Sequence, residues 1–363
     1  MSAQRKDDHV RLAIEQQDVP RGVNQFDEVS FVHHALAGID RPDVSLATAF
    51  AGISWPVPVY INAMTGGSAK TGVINRDLAI AAREAGVPIA SGSMNAYFKD
   101  PSCADTFSVL RKENPDGFVM ANVNATASVE NVWRAIELIQ ANALQIHINT
   151  AQETAMPEGD RSFSSWIPQI EKIAAAVDIP VIVKEVGNGL SRQTVLTLRD
   201  LGVRVADVAG RGGTDFARIE NDRRELGEYA FLHGWGQSAP ACLLDAQGVG
   251  LPLLASGGVR DPLDVARALA LGACGVGASG GFLRTLLDGG VSALVDQLTT
   301  WLDQLAALQT MLGARTPADL TRCDLLIHGS LRSFCADRGI ETGPLARRSS
   351  SAETSHETTG STR

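Results

Sequence analysis

Cysteine is scarce in this 363-residue chain, and its spacing forms no pairs. The five cysteines are scattered and odd in number, and no C-x-x-C pair occurs. They lie at positions 103, 242, 274, 323 and 335. This pattern supports neither a disulfide framework nor a zinc knuckle. We therefore expect a reduced, cytoplasmic protein.

Long apolar runs and an excess of basic residues are also missing. The longest uncharged run in the C-terminal half, residues 268–283, is glycine-rich and shorter than a membrane-spanning helix requires. The first 18 residues carry too much charge for a secretory signal. The net charge of −9 provides no electrostatic footprint for nucleic acid. We expect neither a membrane nor a nucleic-acid partner, and an anionic ligand needs a local basic site.

The sequence does contain a repeated alternation of short apolar runs and amphipathic stretches with helical spacing. The apolar runs cover residues 57–64, 87–93, 117–125, 143–149, 180–186, 203–210, 251–258 and 272–279. Strands that alternate with helices pair in parallel through right-handed crossovers. Eight such units in about 220 residues predict a closed (β/α)8 barrel, or TIM barrel. An open doubly wound sheet is the structural alternative.

The segments around this barrel are predicted to differ in role. Residues 1–56 show no such repeat and form an N-terminal extension with a short helix near its start and loops beyond it. Residues 57–345 form the barrel and C-terminal helices, one of them amphipathic. Residues 346–363 are polar, rich in serine and threonine, and expected to be disordered. The longest connection, 211–250, is a candidate lid.

Glycine and polar residues follow the predicted strands at the end where such barrels carry their active sites. Gly257 and Gly258 allow a tight turn and close approach to a ligand, and a helix begins just after them. The sequence "GASGG" after strand eight adds further backbone N–H groups. These two loops predict a phosphate site, although such glycines also serve simply to close a barrel.

Two polar features of the predicted strands are expected at the same end of the barrel. The stretch "LQIHINTAQE", residues 144–153, alternates apolar with polar residues, and buried polar groups need partners. Lys184 lies inside an apolar run. It fits a Schiff-base amine, a cation beside an electron-rich cofactor, or one half of a structural salt bridge.

Eight motifs occur in order over about residues 4–335: "RKDDH", "NAMTGG", "ASGS", "LQIHINTAQE", "VIVKEVGNGLS", "GRGGTDFARIE", "HGWGQS" and "ASGGVRDPLDVARALALGA". Together they resemble the type 2, FMN-dependent isopentenyl-diphosphate Δ-isomerases. The resemblance implies interconversion of isopentenyl and dimethylallyl diphosphate by reduced FMN acting as acid and base, with Mg²⁺. NADPH would serve only to reduce the flavin. It also implies a homo-oligomer, commonly a tetramer or octamer.

The resemblance assigns roles to individual residues. Gln152 and Lys184 would be catalytic, with Lys184 near flavin N1, and the N-terminal extension would close over the site. Glu153 would bind Mg²⁺. The residues implied for the substrate are Arg5, Lys6, Ser93, Asn95, His147, Asn149 and Gln152. Those implied for FMN are Ala63, Met64, Thr65, Ser93, Asn122, Lys184, Thr214, Gly257, Gly258, Arg260, Ser279 and Gly280.

Several positions depart from the family pattern. Met94 and Asn95 stand where a glutamine and a substrate-binding arginine are usual, and Asn95 supplies no charge. Ala209 replaces a common serine, while Thr150 and Ala151 replace proline and leucine. Two other functions remain open at this point. One is a flavin oxidoreductase such as an α-hydroxy-acid oxidase, and the other is a catalytically silent binder of flavin or prenyl phosphate.

Overall fold

The computed structural model describes residues 2–18 and 24–353. Eight parallel strands form a closed barrel in which each strand pairs with its neighbours in chain order and the last pairs with the first. The strands are β1 (Val59–Ile61), β2 (Ile89–Ala90), β3 (Val119–Asn124), β4 (Ala143–His147), β5 (Val181–Lys184), β6 (Val205–Asp207), β7 (Leu253–Ser256) and β8 (Ala273–Ala278). This closure confirms the (β/α)8 barrel and excludes the open sheet.

Helices surround the barrel. The α-helices are α1 (Ser2–Asp18), α2 (Ala69–Ala85), α3 (Asn95–Lys99), α4 (Asp105–Glu113), α5 (Val129–Ile139), α6 (Thr150–Ala155), α7 (Trp166–Ala176), α8 (Arg192–Asp200), α9 (Phe216–Asp222), α10 (Ala239–Asp245), α11 (Pro262–Ala270), α12 (Gly280–Leu312), α13 (Gly329–Asp337) and α14 (Arg348–Glu353). Short 3-10 segments cover Gln25–Glu28, Arg41–Asp43, Pro101–Cys103, Ala230–Leu232, Pro317–Arg322 and Gly343–Arg347. A break at Gly290, where φ is +74°, divides α12. None of the described helices is long and apolar enough to span a membrane.

Side chains inside the barrel lie in two layers of different chemistry. The lower layer is an apolar cluster, and the residues two positions further along the same strands are polar. Alternate residues of a strand share one face, so both sets point inward. Lower and upper partners are Tyr60 and Asn62, Met120 and Asn122, Ala143 and Gln145, Ile182 and Lys184, Val205 and Asp207, and Leu254 and Ser256. The change in polarity therefore occurs within two residues along six strands.

An antiparallel hairpin closes the lower end of the barrel. Thr48–Phe50 pairs with Ile53–Trp55, and the two turn residues, Ala51 and Gly52, both have positive φ. The ring centroid of Trp55 lies 5.3 Å from that of Tyr60 and 5.6 Å from that of Phe118. These apolar contacts fill the space beneath the lower layer.

The N-terminal extension therefore differs from its prediction. Helix α1, which is longer than the short helix expected, reaches the opposite end of the barrel, where it lines a cavity. Residues 48–55 close the lower end instead, and Val29–Phe31 pairs with Leu325–Ile327 rather than forming a loop. The hairpin was not predicted because strands of three residues are too short to show a period.

Two further segments differ from expectation. Residues 346–353, predicted to be disordered, continue a 3-10 turn into α14. Arg348 donates to the Ala270 carbonyl over 2.7 Å, and the Ser349 backbone N–H donates to Asp324 over 2.8 Å, which fixes this polar segment. Residues 354–363 lie outside the described part. In the candidate lid, residues 211–250, α10 is fully buried against the barrel, so the segment is not a single lid.

Candidate functional site

A cavity of about 470 Å³ lies at the carboxyl ends of the strands, beneath α1. This volume is in the range of small-molecule and cofactor sites. All predicted site residues except Arg260 lie in its lining: Arg5, Lys6, Ala63, Met64, Thr65, Ser93, Asn95, Asn122, His147, Asn149, Gln152, Glu153, Lys184, Thr214, Gly257, Gly258, Ser279 and Gly280. The fold thus brings together residues that are up to 275 positions apart, from Arg5 to Gly280.

One side of the cavity is built to receive an anion. The first residue of α12, Gly280, lies in the lining, and Ser279 before it makes no side-chain cap. The first N–H groups of a helix lack internal partners and favour negative charge. Gly257 has a φ of +89°, and a Cβ there would collide with the Gly210 carbonyl. A Cβ on Gly280 would lie 3.3 Å from Thr214 Oγ1, so these loops pack closely around the helix end.

The buried polar layer forms the floor of the cavity. Asp207 accepts hydrogen bonds from Tyr60 Oη at 2.6 Å, Asn62 Nδ2 at 3.0 Å, Ser256 Oγ at 2.9 Å and the Ala209 backbone N–H at 3.1 Å. Burial and the Asp207 charge raise the pKa of Tyr60 well above its ordinary value, so its hydroxyl remains a donor. These donors satisfy a carboxylate that would otherwise be costly to bury.

Lys184 stands beside this carboxylate on the neighbouring strand, because Lys184 and Asp207 are register partners of β5 and β6. Its Nζ donates to the Glu185 carbonyl over 2.7 Å. Burial lowers the pKa of Lys184, while the charges of Asp207 and Glu185 oppose that change. The side chain is thus a buried amine at the cavity, with no salt bridge among the described residues, which argues against the structural alternative.

His147 is neutral in this setting. Burial and the positive charges of Lys184 and Lys6 lower its pKa to about 3. Nδ1 lies 2.8 Å from Asn122 Oδ1, which can only accept, so the ring proton resides on Nδ1. The other ring nitrogen then remains unprotonated.

Gln152 is held from two sides by neighbouring polar groups. Asn149 Nδ2 donates to Gln152 Oε1 over 3.1 Å, and Gln152 Nε2 donates to Glu220 Oε1 over 2.9 Å. His9 of α1 lies 3.0 Å from the same oxygen, and Arg223 pairs with the other. Burial raises the pKa of Glu220, but these hydrogen bonds and the His9 charge outweigh it and lower the pKa to about 2. Glu220 is therefore an anion that orients the Gln152 amide.

Two cations of α1 cover this end of the cavity. Arg5 Nη1 lies 3.4 Å from Glu158 Oε1, and Arg5 Nε is buried with no hydrogen-bond partner among the described residues. Lys6 is buried, and this burial, together with the Arg5 charge, lowers its pKa to about 8. A buried donor without a partner and a nearby ammonium are suited to an anionic ligand.

Glu153 presents a carboxylate at the same end. It accepts from Asn149 Nδ2 at 3.1 Å and from the Asp160 backbone N–H at 2.8 Å. No group of three His, Cys, Asp or Glu side chains with metal-binding geometry occurs in the described residues. Mg²⁺ commonly takes one or two carboxylates together with water and substrate phosphates, so a single glutamate is consistent with such a site.

The structure corrects some predictions and adds residues that sequence reasoning missed. Arg260 pairs with Asp27 and Asp264 outside the cavity, and even its backbone N–H donates to Asp264, which argues against its predicted cofactor role. Met94 is buried in the apolar core, while Asn95 lines the cavity. His9 and Glu220 were not assigned, although both end motifs of the family pattern, "RKDDH" and "GRGGTDFARIE".

The residues present also fit FMN. The buried hydroxyl of Thr65 lines the cavity and has no hydrogen-bond partner in the described part of the chain. The glycine cradle at Gly257 and Gly280 and the open end of α12 suit a phosphate, and Lys184 suits an electron-rich ring. The cavity therefore offers a site for each end of this cofactor.

Comparison with known proteins agrees with an FMN site in this cavity. A family model described as FMN-dependent dehydrogenase matches residues 115–326. The isopentenyl-diphosphate delta-isomerase of Streptomyces sp. (strain CL190) is 81% identical over 362 residues, covering 100% of this chain and 99% of that protein. The enzyme of the same name from Nocardia farcinica (strain IFM 10152) is 61% identical over 350 residues, covering 96% of this chain and 97% of that protein.

Solved structures show the same architecture. A mandelate oxidase with (S)-2-phenylpropionate superposes with a TM-score of 0.63 at 16% identity, covering 90% of this chain and 98% of that one. At this identity the likeness establishes the barrel and no activity. The high identity to the isomerases, by contrast, extends over nearly the whole chain. The chain therefore belongs to the type 2, FMN-dependent isopentenyl-diphosphate delta-isomerase family.

Proposed function

We propose that this chain interconverts isopentenyl diphosphate and dimethylallyl diphosphate, using reduced FMN, Mg²⁺ at Glu153, and NADPH only as the initial reductant. The observation that carries the proposal is that two sets of groups suited to anions line one cavity. Gly280 at the start of α12 suits the cofactor phosphate, and Arg5 and Lys6 of α1 suit a substrate diphosphate. The space between them is where cofactor ring and hydrocarbon would meet.

The flavin end is supplied by the strand termini. Gly257, Gly258 and Gly280 would provide backbone N–H groups to the phosphate, and Thr214 lies in the same part of the lining. Lys184 would supply a positive charge to the cofactor ring, which would favour the electron-rich reduced form. When bound and reduced, FMN supplies an electron-rich plane and an exchangeable proton on N5.

The substrate end combines cations with neutral donors. Arg5 and Lys6 hold the diphosphate, and α1 covers it to exclude water. His147, kept neutral, and Asn149 contribute hydrogen bonds without adding charge near the reacting carbons. Glu153 would hold Mg²⁺, and the ion would supply positive charge to neutralise the diphosphate.

Gln152 is the residue proposed to act at the reacting carbons. Glu220 and Asn149 hold its amide at both ends, so its orientation is fixed before substrate binds. A fixed amide beside the hydrocarbon positions a proton during its transfer to or from carbon.

The direct test is anaerobic incubation with FMN, Mg²⁺, a chemical flavin reductant and isopentenyl diphosphate in D₂O. We expect dimethylallyl diphosphate with deuterium in its methyl group, formed without NADPH. Bound and reduced FMN without product would support a silent binder instead. Oxidation of a 2-hydroxy acid by the same preparation would indicate an oxidase.

Gln152→Ala sharpens the same test. Turnover should fall far more than FMN affinity, because the amide faces the substrate rather than the phosphate cradle. Gln193→Ala, at an exposed position of α8, is the matched control and should change neither quantity. Equal losses of turnover and FMN binding in Gln152→Ala would indicate a folding role.

We also propose that the protein works in the cytoplasm as a homo-oligomer, a tetramer or octamer. The five free cysteines support a reducing compartment.

Exposed large apolar side chains on the segment after β6 support self-association, namely Leu226, Phe231 and Trp235. Sedimentation analysis of the FMN-loaded protein tests the assembly, and a monomer at micromolar concentration would contradict it.

A further inference from the structure

The cationic groups of the cavity differ in how far they are already engaged. Arg5 faces Glu158, and the Lys184 ammonium donates to the Glu185 carbonyl. Lys6 is buried and feels the charge of Glu220. These three cations are therefore partly compensated within the protein.

Lys99 is different. It lies in the cavity lining at the end of α3, its side chain is exposed, and it takes part in no ion pair within the described ranges 2–18 and 24–353. The neighbouring Asp100 is not its ion-pair partner, and Asp100 Oδ1 accepts instead from the backbone N–H and the hydroxyl of Ser102 at 3.0 and 2.7 Å. Among the described residues, Lys99 thus offers an ammonium without an ion-pair partner at the cavity rim.

The orientation of α3 is fixed from outside. Arg134 stacks over the rings of Tyr97 and Phe98, at 5.0 and 5.9 Å from their centroids. Residues four apart on a helix share a face, so Asn95 and Lys99 point the same way, and both line the cavity. Lys99 thus places a cation on the helix face where Asn95 offers only a neutral amide.

This face of α3 lies near the basic end of α1. The ammonium of Lys6 acts electrostatically on the Cys103 thiol, four residues beyond Lys99. The acidic side chains in the lining, Glu153, Glu158 and Asp160, belong to α6 and the loop after it. The cavity thus has acidic groups on one element, suited to a cation, and Lys99 on another.

We propose that Lys99 is a substrate-binding residue whose ammonium holds the diphosphate at the cavity rim and supplies the charge that Asn95 lacks. The inference rests on the proposed function, because it assigns a further contact to the same diphosphate. The class of ligand recognised is an organic diphosphate, with the charge rather than the hydrocarbon contacted by Lys99.

The test uses the FMN-loaded full chain and compares Lys99→Gln with Lys112→Gln. Lys112 lies exposed on α4 and outside the cavity lining, so its substitution makes the same change in net charge. Lys99→Gln should raise both KM for isopentenyl diphosphate and the Kd for inorganic pyrophosphate with Mg²⁺ about tenfold. The kcat value and FMN affinity should stay within about twofold, since Lys99 is assigned a contact with the diphosphate and none with the reacting carbons or the cofactor phosphate.

A charge-relocation variant separates binding from folding. Asn95→Arg combined with Lys99→Gln returns a cation to the same helix face, and it should recover most of the pyrophosphate affinity. The inference would be overturned if Lys99→Gln and Lys112→Gln gave the same KM and the same Kd for pyrophosphate. It would also be overturned if Lys99→Gln lowered kcat as well as raising KM and the added Asn95→Arg restored no affinity. If the parent chain does not turn over isopentenyl diphosphate, the proposed function fails. Weaker pyrophosphate binding in Lys99→Gln alone would then still support the diphosphate contact.

Discussion

The two ends of the barrel contrast sharply although the same eight strands build both. At the lower end, Trp55 and Tyr60 belong to an apolar cluster closed by a hairpin. At the upper end, residues only two positions further along carry amide, hydroxyl and charged groups around a cavity of about 470 Å³. A step of two residues along a strand therefore separates the apolar layer that stabilises the barrel from the polar layer that lines the cavity.

The contrast has a physical cause. Apolar side chains at the lower end gain free energy simply by leaving water. Polar groups of the upper layer are stable there only when each has a partner, and Asp207 shows this with four donors. Substitutions at the two ends should consequently change different quantities.

Trp55→Ala should give the largest effect, at the lower end. The side chain is 2% exposed, so its removal leaves a large cavity in the apolar cluster. We expect a loss of about 3–5 kcal/mol in the free energy of unfolding, measured by urea denaturation, with KM unchanged at low temperature. Trp133→Ala, on the half-exposed face of α5, is the control and should cost far less. A large change in KM would contradict the separation of the two ends.

Glu153→Gln should reduce turnover, which depends on the upper end, without changing the stability that the lower end provides. Loss of the carboxylate removes the proposed Mg²⁺ ligand, and we expect turnover to fall at least about 100-fold while FMN stays bound. The free energy of unfolding should be unchanged, because the residue lies at the cavity surface. Unchanged turnover would rule out Glu153 as metal ligand. Glu171→Gln, exposed on α7, is the control.

Glu220→Gln tests how much the contact between Glu220 and His9 of α1 contributes to stability, which should depend on pH. A carboxyl whose folded pKa, about 2, lies below its ordinary value of 4.5 stabilises the fold above pH 4.5. That stability is lost as the pH falls from 4.5 towards 2. Urea denaturation at pH 7 should show a loss of about 2 kcal/mol in the variant, shrinking at pH 3. Glu225→Gln should show no such difference, and a loss that is constant with pH would refute the assignment.

Tyr60→Phe should have the smallest effect, at the boundary between the two layers. It keeps the ring that packs on Trp55 and removes one of four donors to Asp207. We expect a loss of about 1 kcal/mol in the free energy of unfolding, together with little change in turnover. Tyr97→Phe is the control, since its ring stacks with Arg134. A loss as large as that of Trp55→Ala would show that the layers are not separable.

Sequence reasoning located most of this site, and its errors share a cause. The strand-end residues were predicted because a parallel barrel gathers all strand ends at one rim, whatever the details of packing. Arg260 lies outside the cavity lining because a motif fixes the position of a residue and not the direction of its side chain, which here turns to Asp27 and Asp264. Glu220 was missed because its partners, His9 and Gln152, are 211 and 68 residues away in the sequence.

The sequence by itself determined the barrel, through eight repeated strand and helix patterns, and the chemistry of its rim, through glycine and polar residues at strand ends. Only the tertiary structure decided how the N-terminal extension divides, with α1 over the cavity and the Trp55 hairpin at the opposite end. It also decided which charges are paired and which, like Lys99, remain exposed at the rim. The reason is that periodicity is a local property, whereas burial and charge pairing depend on contacts between residues distant in the chain.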